Sequence, residues 1–322
     1  MKNKTFILIL FMEAMVCLIA VLAFPAQNGS SYLAIAQFPF AQLGLLLRTL
    51  SLSGVFGNVI AFVLYLALCA LPLLFIAFHV KKRTHKVEDW LLVIMSGFAF
   101  YMMYMMTNPG YLGQTPSYIN EDMGKAVLGT AFYSLLIGYL VLKLLRKSSH
   151  SGTDALLKIL RLLFAVTAVI LVFSISYIGI AEVKAKLAVI QSGNTDPSVA
   201  LGFTNFFVIL RYMLTQLPVF MELVIFILAM RLCDHLREDR YGEDAVNAAT
   251  KLAYFCKKTV AIILLCTMTL NLAQILFAGS LISVDFLTTL PIDSITVALV
   301  ALLLSRFFIA SRDLAKDNQM YI

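Results

Sequence analysis

Eight long apolar runs constrain this chain more than any other feature of its sequence. They cover residues 5–24, 55–80, 90–106, 126–145, 159–180, 203–230, 260–282 and 290–309. A helix needs about 20 apolar residues to cross a bilayer core of about 30 Å, and the runs are close to that length. The sequence therefore predicts an all-α integral membrane protein with about eight transmembrane helices, whose first partner is the lipid bilayer.

Composition excludes several classes of protein. Of the 322 residues, 61% are hydrophobic and 13% are charged, whereas about a quarter of the residues of a soluble domain are charged. The mean hydropathy is +0.90. A secreted enzyme, a nucleic-acid-binding domain and a disulfide scaffold are excluded together, and the net charge of +7 is read as a signal of orientation in the membrane.

The sequence carries no motif for catalysis or for a cofactor. Its five cysteines form no CxxC pair, and its four histidines form no HExxH pair. A phosphate-binding glycine loop and a serine-nucleophile motif are also missing from the sequence. We therefore predict a protein that is not an enzyme and that has no catalytic, cofactor-binding or metal-ligating residues.

Basic residues predict the orientation. The N-terminus, the segments around 81–89, 146–158 and 231–258 with their helix ends, and the tail after 310 together hold 20 of the 25 Lys and Arg residues. An eight-helix arrangement puts all five regions on one side, and Lys and Arg are concentrated on the cytoplasmic side of membrane proteins. Both termini are therefore predicted to be cytoplasmic.

The segment 31–53 is apolar but is interrupted by Pro39 and carries Arg48. It is too broken for a span, so we predict either an amphipathic helix at the outer interface or a re-entrant segment packed on the bundle, because irregular backbone exposed to lipid is very costly. The outer loops 108–125 and 182–202 contain turn-forming Gly, Pro, Asn and Asp. Neither loop is long enough to form a domain.

The polar linker 147–154 divides the chain into possible four-helix halves, 1–150 and 151–322. In each half the second helix starts near an asparagine and contains a proline: Asn58 with Pro72, and Asn205 with Pro218. Four helices in each half would make the halves parallel repeats. Chance is the alternative explanation, because proline is common in membrane helices.

Among the polar side chains inside the apolar runs, five are candidates for a site in the membrane: Glu13, Arg211, Glu222, Asn271 and Gln274. Glu13 is the sharpest anomaly, because a carboxylate in hydrocarbon normally faces inward, is paired or is protonated. It is either a proton or cation site or a group that orders the bundle. Arg211 is its candidate partner, although an arginine at that depth can also extend its guanidinium to the outer surface.

The other three polar residues lie in the sixth and seventh predicted helices. Glu222 follows Arg211 by 11 residues, so the two share a helix face but stand about 16 Å apart and cannot pair. Asn271 and Gln274 share a face of the next helix, where interhelical hydrogen bonds are their ordinary role. If these groups and Glu13 converge, they form a polar centre within the membrane.

The connection 233–258 interleaves acidic and basic residues with Ala and Val. We predict a short cytoplasmic helix here, and mixed signs suit a protein partner better than a nucleic acid. A solvated loop without a partner is the alternative.

Three stretches carry a resemblance to a known family: RYMLTQLPVFMELVIFILAMRL at 211–232, DHLREDRYGEDAVNAATKLAYFCKK at 234–258 and LLLSRFFIASRDLAKDNQMYI at 302–322. Over about residues 155–322 the chain resembles the YoaS-like family of small bacterial multi-pass membrane proteins of unknown function. The polar ending with Asp317, Asn318 and the aliphatic Ile322 belongs to this likeness. The resemblance implies the bacterial cytoplasmic (inner) membrane and implies no catalytic residues.

Three functions are compatible with these features. A regulatory or interaction protein of the membrane leads, because intramembrane charge is sparse and broken helices in corresponding spans are missing from the pattern. A transporter or permease subunit with a polar centre around Glu13 is the alternative, and it requires Glu13, Arg211 and Asn271 to line a water-accessible cavity. An intramembrane enzyme is the third hypothesis.

Overall fold

The computed structural model describes residues 3–23, 31–82, 86–114, 120–149, 152–194, 201–239, 242–280 and 291–319. Nearly all of these residues are helical, and no strand occurs among them. The described ranges contain eight helical stretches that are long and apolar enough to cross a membrane. The prediction of an all-α multi-pass membrane protein is confirmed. The predicted span ends at Phe24, Ile282 and Leu290 lie outside the described residues.

Residues 29–150 form one compact unit. Its helices are α2 (Ser31–Gln37), α3 (Phe40–Leu52), α4 (Val55–Lys81), α5 (Trp90–Thr107) and α6 (Glu121–Ser149). α4 packs along α5, α3 packs on both of them, and α2 packs on α6. The buried core is rich in methionine from one face of α5 and is completed by Leu47, Ala61 and Cys69.

The pair α2 and α3 accounts for the segment 31–53. The helical structure is interrupted between them at Phe38–Pro39. Tyr133 donates its hydroxyl to the carbonyl oxygen of Phe38. The break therefore leaves this carbonyl satisfied, as an apolar environment requires. Close packing follows from glycine, since a Cβ added at Gly44 would lie 2.7 Å from backbone atoms of Met106. These contacts agree with a segment packed on the bundle.

The second compact unit comprises residues 1–28 and 151–322. Its helices are α1 (Asn3–Ala23), α7 (Thr153–Phe173), α8 (Ile180–Gly193), α9 (Gly202–Glu238), α10 (Glu243–Leu276) and α11 (Ile292–Gln319). A π-helical turn, Ser174–Gly179, joins α7 to α8 without a break. α9 packs on α7 and α10, and α11 packs on α10.

The first helix belongs to the second compact unit. α1 packs on α7, on the π-helical turn and on α8, with Phe6 and Leu10 in a core shared with Ala168 and Val172. The Lys184 ammonium also donates to the carbonyl oxygen of Val21 at 2.8 Å, at the helix end where carbonyl groups lack partners. Among the described residues, the unit 29–150 holds three candidate spans and the other unit holds five.

Two predictions about polar segments, 182–202 and 233–258, are wrong. The region 182–202, predicted as a loop, is helical up to Gly193. The connection 233–258 is not a separate short helix, because α9 runs to Glu238 and α10 starts at Glu243. Apolar runs mark the part of a helix that suits lipid, whereas helical hydrogen bonding continues through polar residues that are good helix formers. The sequence therefore located the spans but underestimated the lengths of the helices.

Candidate functional site

The π-helical turn between α7 and α8 is held by side-chain hydrogen bonds. The Ser176 hydroxyl donates to the carbonyl oxygen of Val172 at 2.7 Å. The Tyr212 hydroxyl from α9 donates to the carbonyl oxygen of Ile175 at 2.8 Å. A π turn shifts the regular ladder by one residue, and such turns often occur at functional sites. Here α9 supplies a partner for a backbone group of the shifted ladder.

Gly179, the last residue of the turn, lets α9 approach closely. A Cβ at this position would lie 2.7 Å from Tyr212 Cε2 and 3.2 Å from Gln216 Nε2. The first distance is shorter than real carbon contacts, so the side chains of Tyr212 and Gln216 occupy the space that any other residue would fill. Because Gly179 has no side chain, Tyr212 and Gln216 of α9 can pack directly against it.

A cavity of about 220 Å³ lies next to this contact. Its polar walls come from three helices: Glu182 and Lys186 of α8, Arg211, Tyr212 and Gln216 of α9, and Gln274 of α10. Phe207 and Val208 give it an apolar side. We call it the α8–α10 cavity.

Two cations face this cavity. Lys186 of α8 and Arg211 of α9 both line it, and both are half-buried. Glu182 stands one turn before Lys186 on α8 and is the acidic residue of the lining. Charged groups interact more strongly where water is partly excluded. Two cationic side chains from different helices can therefore bind an anionic group in this space.

Two amide oxygens in the cavity wall have no hydrogen-bond partner among the described residues. Gln216 Oε1 and Gln274 Oε1 are both buried without one, and the Gln274 side chain belongs to a residue that is only 3% exposed. Leaving a buried acceptor unsatisfied costs about 1–3 kcal/mol. Such atoms call for an explanation, and a bound donor is one.

The structure brings together two of the five polar residues singled out from sequence. Arg211 and Gln274 both line the α8–α10 cavity, and Glu13, Glu222 and Asn271 are not among its lining residues. Glu222 is hydrogen-bonded by the Ser294 side chain of α11. Asn271 is half-buried one turn before Gln274. The predicted convergence around Glu13 is therefore not what the lining shows.

Glu13 lies beside the packed face of α1. Leu10 and Cys17, three residues before it and four after it, are buried, and Glu13 itself is half-buried. Within the described residues, neither a hydrogen bond nor a charged partner accompanies its carboxylate. Glu13 is thus at the margin of a helix contact.

A second polar feature is the hairpin formed by the end of α9 and the start of α10, residues 231–258. A groove of about 190 Å³ runs between the two helices. Its polar lining consists of Arg231 and His235 from α9 with Asp244, Asn247 and Lys251 from α10. We call it the hairpin groove.

Sequence reasoning missed a hydrogen-bonded network in residues 29–150. Asp89, which is 5% exposed, accepts from the Tyr139 hydroxyl at 3.2 Å. The Lys143 ammonium donates to the same hydroxyl at 3.1 Å and contacts His79 Nε2 at 3.3 Å. The spacing of Tyr139 and Lys143, four residues apart on one helix, was the available signal. The sequence offers no pattern that links this pair to Asp89, which is 50 residues before Tyr139.

No group of three His, Cys, Asp or Glu side chains that could hold a metal ion occurs in the part of the chain that the structure describes. Comparison with known proteins gives no relative: no family model, no curated protein and no solved structure matches the chain. The YoaS-like resemblance of residues 155–322 stays a prediction.

Proposed function

We propose that this protein is a regulatory or interaction protein of the bacterial cytoplasmic membrane, with both termini in the cytoplasm, and that a cytoplasmic protein binds its α9–α10 hairpin. The observation that carries the proposal is the hairpin groove between the polar ends of two long helices. The basic-residue count supplies the orientation.

Helix length supports a hairpin that projects from the bilayer. α9 has 37 residues and α10 has 34, which corresponds to about 55 Å and about 51 Å at 1.5 Å per residue. A bilayer core of about 30 Å accommodates only part of each helix. The polar residues are concentrated toward the end of α9 and the start of α10, so these are the parts we place in the cytoplasm.

The hairpin is also well ordered by its own contacts. Ala245 and Ala249 are 1% and 0% exposed, and small residues at this spacing let helices approach closely. Two ion pairs join α9 to α7: Arg161 pairs with Asp234 at 2.5 Å, and Asp154 pairs with Arg237 at 2.7 Å. A preformed surface loses less conformational entropy when a partner binds.

The charge of the groove indicates what the partner presents. Arg231 and Lys251 are cations, His235 adds a third when protonated, and Asp244 is the acid of the lining. Complementary potentials set specificity and the rate of association. The partner chemistry that fits is an acidic protein segment, and binding should weaken as salt increases.

Transport remains the second hypothesis and intramembrane catalysis the third. Of the three residues on which the transport hypothesis depends, Arg211 lines the α8–α10 cavity, and Glu13 and Asn271 are not among its lining residues. The hairpin groove has no counterpart in that hypothesis, which is why the interaction role is preferred.

A charge-reversal experiment tests the partner. A photo-crosslinking residue at Asn247, which is exposed in the groove, should capture a specific protein in native membranes. Arg231→Glu with Lys251→Glu should abolish that product, whereas Arg306→Glu, which reverses an exposed cation outside the groove, should not. Equal crosslinking in the reversed and control variants would refute the proposed surface.

Cysteine labelling tests the orientation separately. We expect Gly242→Cys to be protected from an impermeant thiol reagent in intact cells and Gly113→Cys to react. Four native cysteines, Cys17, Cys69, Cys233 and Cys256, are buried, and labelling of the unsubstituted chain measures the background from the half-buried Cys266. The reverse pattern would invert the assignment and place the hairpin outside the cell.

A further inference from the structure

We propose that the α8–α10 cavity binds a small zwitterion, in which a carboxylate or phosphate group and an ammonium group are joined by a short linker. The proposal concerns residues other than those of the hairpin groove. It does not depend on the existence of a cytoplasmic partner.

The two cations select the anionic end of the ligand. Lys186 and Arg211 come from different helices and face the same space. An oxyanion placed between them gains charge-assisted hydrogen bonds from both. Arginine suits such a group well, because its planar fork can bind two oxygens at once.

The two glutamines select the other end. Gln216 Oε1 and Gln274 Oε1 are acceptors without donors, on different helices that border the same cavity. An ammonium group carries three donors and no acceptor. An ammonium group inside the cavity can donate to these oxygens, and Glu182, which also lines the cavity, adds a favourable charge.

The volume limits the size of the ligand. The cavity measures about 220 Å³, and a water molecule in the liquid occupies about 30 Å³. The space therefore suits about seven to ten non-hydrogen atoms, well below the cavities of about 300–1,000 Å³ that hold drug-sized ligands. An oxyanion and an ammonium group that both lie inside the cavity are therefore only a few bonds apart.

Two sources offer this chemistry. A free amino acid is a carboxylate zwitterion of the right size, and the headgroup of phosphatidylethanolamine is a phosphate zwitterion presented by the bilayer. The phosphatidylcholine headgroup is the natural control, because its trimethylated nitrogen has no N–H donor for the glutamine oxygens.

The test uses the full chain purified into phosphatidylcholine nanodiscs. Binding of L-glutamate and of O-phosphoethanolamine is measured by calorimetry, and a second set of discs contains phosphatidylethanolamine. If the solute is free, we expect L-glutamate to bind. If the source is the lipid, we expect O-phosphoethanolamine to bind in phosphatidylcholine discs and to be excluded in phosphatidylethanolamine discs, which should also raise the temperature of unfolding.

Two variants and one control locate the binding. Arg211→Gln removes the charge that holds the oxyanion, and Gln274→Leu removes an acceptor while keeping its volume. Each should weaken Kd by about tenfold to a hundredfold, as expected for a hydrogen bond to a charged group. Arg306→Gln, at an exposed position of α11, should bind as the wild type does.

Gln274→Leu also separates a lost site from a lost fold. Because Gln274 Oε1 is buried without a partner, replacing this side chain by an apolar one should leave the unfolding temperature unchanged or higher while binding is lost. Three results would overturn the proposal. One is the absence of binding in every arm, another is equal affinity in Arg211→Gln and Arg306→Gln, and the third is inorganic phosphate or acetate binding as tightly as the zwitterions.

Discussion

The polar network of residues 29–150 and the α8–α10 cavity of the other unit use similar side chains in opposite ways. In the network, Asp89 accepts from the backbone N–H of Lys86 at 2.8 Å and from the Tyr139 hydroxyl at 3.2 Å. In the cavity, two amide oxygens accept nothing. The first arrangement stabilises the fold, and the second leaves binding capacity unused. Satisfaction of hydrogen bonds therefore separates a structural polar cluster from a candidate binding site better than polarity alone does.

The network also shows what a satisfied cluster does for helices. His79 Nδ1 lies 2.6 Å from the carbonyl oxygen of Phe75, which assigns the ring proton to Nδ1 and leaves Nε2 to accept from Lys143. The chain of bonds joins α4, the start of α5 and α6. It adds polar contacts to three helices that also share the apolar cluster of Leu92, Met95 and Tyr139.

The largest effect should come from Asp89→Ala. This change leaves the Lys86 N–H and the Tyr139 hydroxyl without their acceptor, and two hydrogen bonds to a buried carboxylate together contribute about 3 kcal/mol or more. We expect the midpoint of thermal unfolding of the purified protein to fall by about 5–10 °C. Asp122→Asn, at an exposed residue of α6, is the control. An equally small change in both variants would show that the network does not hold the helix ends.

The next largest effect should come from Gly179→Ala, because the new Cβ would lie 2.7 Å from Tyr212 Cε2. Tyr212 must then move away from Ile175 and disturb the cavity wall. Overpacking of this kind costs about 1–3 kcal/mol, and the better helix propensity of alanine offsets less than about 1 kcal/mol of that. Lower thermal stability with weaker zwitterion binding is expected.

Gly97→Ala is the matched control for this change. Gly97 lies inside α5 with no atom within 4 Å of an added Cβ, so alanine there should stabilise the protein by about 0.5–1 kcal/mol. If both glycine variants stabilise the protein, the approach of Tyr212 to Gly179 is less tight than the distances indicate.

How far the sequence predicted these two regions depends on the range of the interactions. The spans followed from composition within single segments, and so did the failure of 31–53 to form one. The assignment of α1 to the second unit did not, because it depends on contacts such as Lys184 with Val21, which are 163 residues apart. Arg211 and Gln274 were singled out as anomalies in an apolar run. Their meeting in one cavity depends on the register of α9 and α10, which one sequence does not reveal.

A pair of polar deletions tests the comparison at smaller scale. Tyr139→Phe removes a hydroxyl that both donates and accepts in the network, and should lower stability by about 1 kcal/mol. Gln216→Leu removes an amide whose buried oxygen has no partner, and should raise stability by a similar amount. Denaturant or thermal unfolding of the two proteins in the same detergent gives the signs. Two effects of the same sign would refute the distinction between the two regions.

The smallest effect should come from substitutions of Glu13. Their stability also tells whether Glu13 resembles the hydrogen-bonded Asp89 or the unpartnered glutamines of the cavity. Its carboxylate is half-buried at the margin of the α1 contact, and no hydrogen bond or charged partner accompanies it among the described residues. Glu13→Gln keeps the size and removes the charge, so it should change the unfolding midpoint by no more than about 1–2 °C. Glu13→Leu should be tolerated equally or better, because leucine suits lipid and extends the buried stripe of Leu10 and Cys17. A large loss of stability in Glu13→Gln would place Glu13 in the satisfied class with Asp89, with a partner among the residues that pack on α1. A normal fold with a lost deletion phenotype would instead make it a proton or cation site, and would restore the transport hypothesis.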